Sequence, residues 1–417
     1  MKYDDSWLGI HLHYVIIGNG GAGISALQTI RNVDNQSDIT VISRERYPAY
    51  SPCSLPNLLA GEIDKLAIFR FDKKFYNRLN ATFMKNTEVI QILPQIKEVK
   101  LANKRSIKFD KLLIAAGAKP ITPKKIKGLN LNGVHVMGTL DSTLGIIDQI
   151  KQGVRHAVVI GGGFMGIETA IMLNERGIKV SIVEMLPHIL SRMLDSDISE
   201  KVAEILKKHG ITLVLNDIVN SINGDKKVTS VSIKTKKLNC DMVVIAIGVA
   251  PNIEILDGSG ITVNQGVVVD PTMQTNKKNI YAAGDIAEVR EQIEGKQGSF
   301  AIWPNAIEQG RIAGLNMAGR PTIYDGAESV NVLDIFDTPV VAMGSTSQAI
   351  DSYKTISRFT PQFSKKILLK NNRIVGLQYV GTIRNAGTFY SLMKKGSDIS
   401  SIQERLLDDN FVIAPEI

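Results

Sequence analysis

Two glycine-rich turns, each set between an apolar strand and a helix, constrain this chain more than any other feature. The first is Gly18-Asn19-Gly20-Gly21-Ala22-Gly23, directly after the apolar run Tyr14–Ile17. The second is Gly161-Gly162-Gly163-Phe164-Met165-Gly166, directly after Ala157–Ile160. Both fit G-x-G-x-x-G. In that pattern the first glycine permits a tight turn, the second lets backbone approach a pyrophosphate, and the third lets the helix pack on its strand. The helix that follows presents amide donors and the positive end of its dipole. One such match is weak evidence. Two in strand–turn–helix context call for a duplicated βαβ architecture with two dinucleotide sites.

The rest of the chain fits around that duplication. Its 417 residues suffice for two or three domains with substantial cores, and 44% hydrophobic with 22% charged residues describes an ordinary soluble protein. Apolar runs such as Met242–Ile247 are strand-length, well short of the roughly 20 residues that span a bilayer. Met1–Gly9 carries Asp4 and Asp5 and does not read as a secretory signal. Cys53 and Cys240 are the only cysteines, which argues against a disulfide scaffold and for a reducing, cytoplasmic setting. A net charge of +8 could draw anionic substrates or acidic proteins. The lysines are scattered, however, with short clusters such as Lys124-Lys125-Ile126-Lys127, and no arginine-rich arm or aromatic–basic ladder suggests nucleic acid. The six histidines, among them His11, His13 and His188, show no metal-ligand spacing, and no Ser-His-Asp motif is visible.

Along the chain, Tyr14–Ile17, Ala22–Val33 and Ile39–Ile42 read as strand, helix, strand. Ala157–Ile160, Met165–Arg176 and Lys179–Val183 repeat the pattern, with Gly177 as a helix C-cap. Lys119–Asn132 reads as a linker between the halves. Leu112–Ala115 and Val243–Ala246 are short apolar strands that run into Gly117 and Gly248, where the chain can pass close to a ligand. Ile280–Asp285 is a further strand ending in Gly-Asp. Beyond Ala327 the pattern changes to strands at Val340–Met343, Ile367–Leu369 and Ile374–Val380, followed by a helical tail from Ala386 to Leu407.

Candidate site residues follow from the turns. A carboxylate about 20 positions past each loop is expected to accept ribose hydroxyls. In the second half Glu184 directly follows its strand, and a carboxylate there favours NADH over NADPH because it repels a 2′-phosphate. Arg192 lies close enough in sequence to count against that preference. In the first half the position after the strand is Ser43, and Glu45 is the nearest acid. The other reading of Glu45 is a surface acid paired with an adjacent arginine. Glu168, two residues past the second loop, is either part of the site or a first-turn acid complementing the helix dipole. Cys53 lies in Ser51-Pro52-Cys53-Ser54-Leu55-Pro56, either as a reactive thiol or as a small residue packed near a cofactor. Cys240 opens a strand and reads as a buried structural thiol.

The ordered set Gly18–Gly23, Leu112–Gly117, Gly161–Glu168, Ile245–Asn252 and Thr275–Ala287 resembles the pyridine nucleotide–disulfide oxidoreductase superfamily over nearly the whole chain. That resemblance implies an α/β fold, with two Rossmann-like three-layer dinucleotide-binding domains and a C-terminal α+β dimerisation domain. The FAD domain would comprise 1–119 and 250–326, the NAD domain 120–249, and the dimerisation domain 327–417. It implies FAD at Gly18, Gly20, Gly21, Ala22, Gly23, Glu45, Val89, Ala116, Gly117, Gly284, Asp285 and Ala306. Asp285 would lie near the flavin ribityl chain. NADH would sit at Gly161, Gly163, Phe164, Met165, Gly166, Glu168, Glu184 and Gly248. Two positions depart from pattern: Ala115-Ala116-Gly117 stands where Ala-Thr-Gly is common, and Phe164 where tyrosine is frequent.

No second cysteine follows Cys53 at C-x-x-x-x-C spacing, so an internal disulfide at the flavin is excluded. The segment resembles the single-cysteine branch, which includes NADH oxidases, NADH peroxidases, coenzyme A-disulfide reductases and NADH-dependent sulfur reductases. There the cysteine cycles through a mixed disulfide, sulfenate or persulfide. Tyr47–Ser51, Trp303–Gly310 and Ile383–Gly387 also resemble rubredoxin reductases and the flavin module of nitrite reductase. The expected function is therefore hydride transfer from NADH to FAD and on, through Cys53, to a disulfide, persulfide or sulfur, peroxide or oxygen. The alternative is electron transfer to an acidic rubredoxin- or ferredoxin-like carrier, with Cys53 incidental. A nucleotide-binding sensor without turnover is a third reading. A homodimer is implied by the resemblance alone.

Overall fold

A computed structural model describes residues 11–72, 74–346, 353–408 and 411. Residues 1–9, read above as no secretory signal, lie outside the described residues. The chain forms two compact units. One comprises Met1–Cys53, Lys65–Lys119 and Ala250–Ala327; the other comprises Ser54–Asp64, Pro120–Val249 and Glu328–Ile417.

The first unit is built on a five-stranded parallel sheet. Its order is Ile280–Ala282, Lys111–Ile114, β1 (His13–Ile17), β2 (Asp38–Ile42) and Ala81–Met84. The register aligns Ile16 with Val41 on one side and with Leu113 on the other. The strands are near-continuous aliphatic runs because both faces are covered, as a parallel sheet requires. Val15, Ile16, Val41, Leu112, Leu113 and Ile114 are all fully buried. Helix α1 (Gly21–Val33) packs against the helix Trp303–Met317 through small residues. A Cβ on Gly310 would lie 2.2 Å from the Ala22 carbonyl oxygen, so only glycine permits this crossing. The unit also holds a three-stranded antiparallel sheet, Val89–Leu93, Glu98–Leu101 and Ser106–Lys108, and a small three-stranded sheet of Val267–Val268, Ala287–Arg290 and Gln297–Gly298.

The second unit repeats the plan. Its parallel sheet runs Thr212–Val214, Lys179–Val183, His156–Ile160, Met242–Ile245 and Val134–Val136, and its own antiparallel sheet is Val219–Gly224, Val228–Ile233 and Lys237–Asn239. The same unit holds a five-stranded antiparallel sheet in the order Val330–Ile335, Thr338–Gly344, Arg373–Val380, Ser364–Lys370 and Lys354–Phe359. Lys366 on this sheet is buried and reaches Asp195 at 2.8 Å and Asp197 at 2.9 Å. The Asp195 amide donates to Gln378 Oε1 at 2.7 Å. These bonds fasten the sheet to the helix Ser196–Lys208.

The expected helical tail from Ala386 to Leu407 is corrected. The helix covers Ala386–Lys395 and stops at Gly396, whose φ of 58° is left-handed; a 3₁₀ turn at Ser400–Arg405 follows. Glycine at that position ends a helix because it enters the left-handed region without a Cβ penalty. Both loop helices begin one residue earlier than their expected starts, at Gly21 and Phe164. Among the described residues no helix is long and apolar enough to cross a membrane.

The substitution Gly310→Ala is expected to force the two helices apart and to cost about 1–3 kcal/mol, an overpacking penalty. Denaturant unfolding of the purified variant measures it, and Gly387→Ala, where a Cβ meets nothing within 4 Å, serves as the control.

Candidate functional site

In the first unit the glycine turn is locked from within. Gly18 has φ +116°, and a Cβ there would fall 1.9 Å from the Ala115 carbonyl oxygen. A Cβ on Gly23 would fall 2.1 Å from the Gly18 carbonyl oxygen. A Cβ on Gly20 would meet nothing within 4 Å, so that face of the turn is open. Gly20 caps α1 without any side-chain hydrogen bond, and the first turn of the helix holds no acid. Its leading amides are therefore left for an anion, with no carboxylate to repel it.

The other expected residues gather on the same turn. A Cβ on Gly284 would sit 3.1 Å from Ala22 Cβ and 3.6 Å from Ala306 Cβ, which brings three separate stretches to one place. Ala116 and Gly117 follow the closing strand, and Asn252 fixes them. Its side chain donates to the Ala116 carbonyl at 2.7 Å, and its amide donates to the Gly117 carbonyl at 3.0 Å. Asn252 lay inside a quoted motif, but its role was not read from the sequence. The Thr87 amide donates to the Ser43 carbonyl at 2.8 Å and holds the approach to Val89 beside the end of β2. Glu45 is half-buried and accepts from the Tyr50 hydroxyl at 2.9 Å, while Arg46 donates to the Tyr47 hydroxyl at 2.9 Å. Asp285 retains some exposed surface, yet its carboxyl is desolvated enough to be pushed up to about 6. A carboxyl short of solvent gains from a hydroxyl donor, which suits a ribityl chain. Open glycine backbone, uncapped amides and a desolvated acid fit FAD.

The second unit shows matching constraints. Gly161 has φ +110°, with its hypothetical Cβ 2.4 Å from the Ala246 carbonyl oxygen; that of Gly166 lies 2.0 Å from the Gly161 carbonyl oxygen. Gly163 opens onto space and caps the helix Phe164–Glu175 without a side-chain bond, again with no first-turn acid. Phe164 and Met165 form the half-exposed first turn. Gly248, with φ +108°, accepts the Ile121 amide at 2.9 Å. Glu184 is buried and turns back on the loop: it accepts the Gly162 amide at 2.6 Å and the Leu186 amide at 2.9 Å. A carboxylate has about four lone-pair sites, so capacity for ribose hydroxyls remains. These features fit a dinucleotide with a bare 2′-hydroxyl.

Glu168 is not a first-turn acid. It is the fifth residue of its helix, half-buried, and desolvation pushes its carboxyl up to about 7. Cys53 is exposed on the 3₁₀ turn Pro52–Ser54, which runs directly into the helix Leu55–Ala60. Cys240 is buried, and desolvation pushes its thiol up to about 12, as suits a structural residue. Among the described residues no cluster of acids, histidines and cysteines could hold a metal ion.

The sequence model of the pyridine nucleotide-disulphide oxidoreductases matches residues 12–310. The chain belongs to this family. It is an NAD(P)H oxidoreductase with FAD and NADH as cofactors. A curated NADH oxidase from Methanocaldococcus jannaschii is 32% identical, across 97% of this chain and 95% of its own. The solved NAD-dependent persulfide reductase from A. fulgidus superposes with a TM-score of 0.89 at 27% identity, covering 97% of this chain and 79% of that one. NADH:rubredoxin oxidoreductase from Clostridium acetobutylicum superposes with a TM-score of 0.78 at 25% identity, over 94% and 98%.

Two measurements test this geometry. Glu184→Ala strips the acceptor from two amides and from the ribose; KM for NADH should rise about tenfold, and the NADPH/NADH ratio of kcat/KM should increase. Glu168 has a folded pKa above its unfolded value. Its contribution to stability is thus fully present below about 4.5 and is lost as pH rises through about 7. Glu168→Gln should remove that loss, so the Tm of the variant relative to the parent should climb between pH 5 and pH 8.

Proposed function

We propose that the chain reduces a sulfur substrate, a disulfide or persulfide, with electrons from NADH and with Cys53 as the group that attacks it. The observation that carries this reading is the exposed Cys53 on its short turn, set against a buried Cys240. The likeness to a persulfide reductase at 27% identity over nearly the whole chain supports it.

FAD, when bound, accepts two electrons from NADH and passes them to sulfur or oxygen. The protein's own work is placement. The turn Gly18–Gly23 would hold the FAD pyrophosphate with the amides of α1, and Asp285 would accept from the ribityl chain. The turn Gly161–Gly166 and Glu184 would hold NADH. Cys53, as the thiolate, attacks one sulfur of the substrate disulfide; a new S–S bond forms and the other sulfur leaves as a thiolate. Two electrons and one proton then split the mixed disulfide, which releases the second thiol and restores the Cys53 thiolate.

A second reading has support of its own. The similarity to a rubredoxin oxidoreductase and a net charge of +8 suit an acidic protein carrier, with Cys53 bystanding. An anaerobic NADH titration followed by visible absorbance separates the two. Uptake of roughly two NADH per flavin, with a long-wavelength thiolate-to-flavin band, supports the cysteine route. Uptake of roughly one, with no band, supports the carrier route and predicts carrier reduction that falls steeply with salt. In the cysteine route, Cys53→Ser should abolish disulfide and sulfur turnover while NADH still bleaches the flavin.

A further inference from the structure

The stretch leading to Cys53 is tied to the first glycine turn by a chain of hydrogen bonds that no motif announces. Tyr76 lies in the stretch after Cys53, and its ring carries a hydroxyl. That hydroxyl donates to Asn19 Oδ1 at 2.6 Å, and Asn19 Nδ2 reaches the Tyr47 carbonyl at 3.5 Å. Asn19 is the second residue of the turn, between Gly18 and Gly20. The chain of bonds therefore runs from Tyr76, through Asn19 of the glycine turn, to Tyr47, a few residues before Cys53.

Tyr76 is held firmly enough to act as a fixed post. It is 5% exposed, stacks on Phe83 with ring centroids 4.1 Å apart, and meets Phe75 edge-on at 5.1 Å. Burial pushes its phenol up to about 12, so the hydroxyl remains a donor at neutral pH. A buried aromatic fixed by two rings loses little entropy in making this bond. An asparagine side chain that both accepts and donates has its amide orientation set by its two partners.

We propose that Tyr76 is a positioning residue: through Asn19 its hydroxyl sets the backbone of the FAD turn, and through the Asn19 bond to the Tyr47 carbonyl it sets the segment that leads to Cys53. Loop shape and cysteine placement are then linked in one unit. The proposal rests on the reading of Gly18–Gly23 as the FAD turn for its first half only; the second half concerns the protein alone.

The test uses Tyr76→Phe, which keeps the stacked ring and deletes the hydroxyl, together with Asn19→Ala and the double variant. Two readouts are taken on the full chain: the FAD dissociation constant, by titrating apoprotein against flavin fluorescence, and the rate of Cys53 alkylation by iodoacetamide, followed by intact mass. Each single variant should weaken FAD about tenfold and speed alkylation several-fold, and the double variant should be no worse than either single, because both break the same chain. Wild-type values in Tyr76→Phe, or losses that add in the double variant, would overturn the proposal. If the parent protein binds no FAD, the reading of the turn fails instead. The alkylation rates then still decide whether Tyr76 holds the Cys53 segment.

Discussion

The structure depends on one contact made twice: a glycine of the nucleotide turn lying against the carbonyl of the residue just past the neighbouring strand of its sheet. A Cβ on Gly18 would stand 1.9 Å from the Ala115 oxygen, and one on Gly161 would stand 2.4 Å from the Ala246 oxygen. The third glycine of each turn is then pressed onto the first, Gly23 on Gly18 and Gly166 on Gly161, at 2.1 and 2.0 Å. Strand, turn, helix and neighbouring strand therefore form one object whose shape is set by backbone. Side chains farther out can vary without disturbing it. That is why a solved persulfide reductase superposes with a TM-score of 0.89 at 27% identity.

Backbone also governs the electrostatics. Both turn helices start at a glycine cap, and neither has an acid in its first turn. Carboxylates are held away from the amides that would meet phosphate, and each has another task. Glu184 braces its own loop through the Gly162 amide, so the residue proposed to accept the ribose hydroxyls also stiffens the turn proposed to hold the pyrophosphate. Asp285 and Glu168 stand where desolvation raises their pKa to about 6 and about 7. Such groups change charge closer to neutral pH than a solvent-exposed carboxyl does.

The parts legible in the sequence were those with a strict local period or a steric rule. Ile16, Val41 and Leu113 announce buried strands because a doubly covered parallel sheet leaves no polar positions to confuse the pattern. The glycines announce their turns because no other residue fits. The tail beyond Ala386 misled because helical spacing continues past Gly396, and only the left-handed conformation there reveals the stop. Glu168 was placed at the helix start because sequence distance from the loop does not say at which residue the helix begins. Asn252 and Tyr76 left no local signal at all. Each acts on backbone or side chains far away in sequence, at Ala116 and at Asn19, and only folding brings the partners together.

The segment around Cys53 obeys a different logic from the glycine turns. Cys53 belongs to the long stretch between β2 and the strand Ala81–Met84, where a single antiparallel bridge, Tyr50 to Phe69, is the β-pairing among the described residues. Rings hold what remains of that stretch in the first unit. Tyr47 faces Phe69 at 6.2 Å, Phe71 stacks on Phe75 at 3.9 Å, Tyr76 stacks on Phe83 at 4.1 Å, and the Arg46 guanidinium lies 5.1 Å from the Tyr47 ring. Aromatic packing of this kind fixes a chain path at low entropic cost while leaving the intervening turn exposed to solvent. Under the proposed function, the step that would separate a sulfur reductase from a carrier reductase falls to Cys53, on a turn outside the parallel sheets.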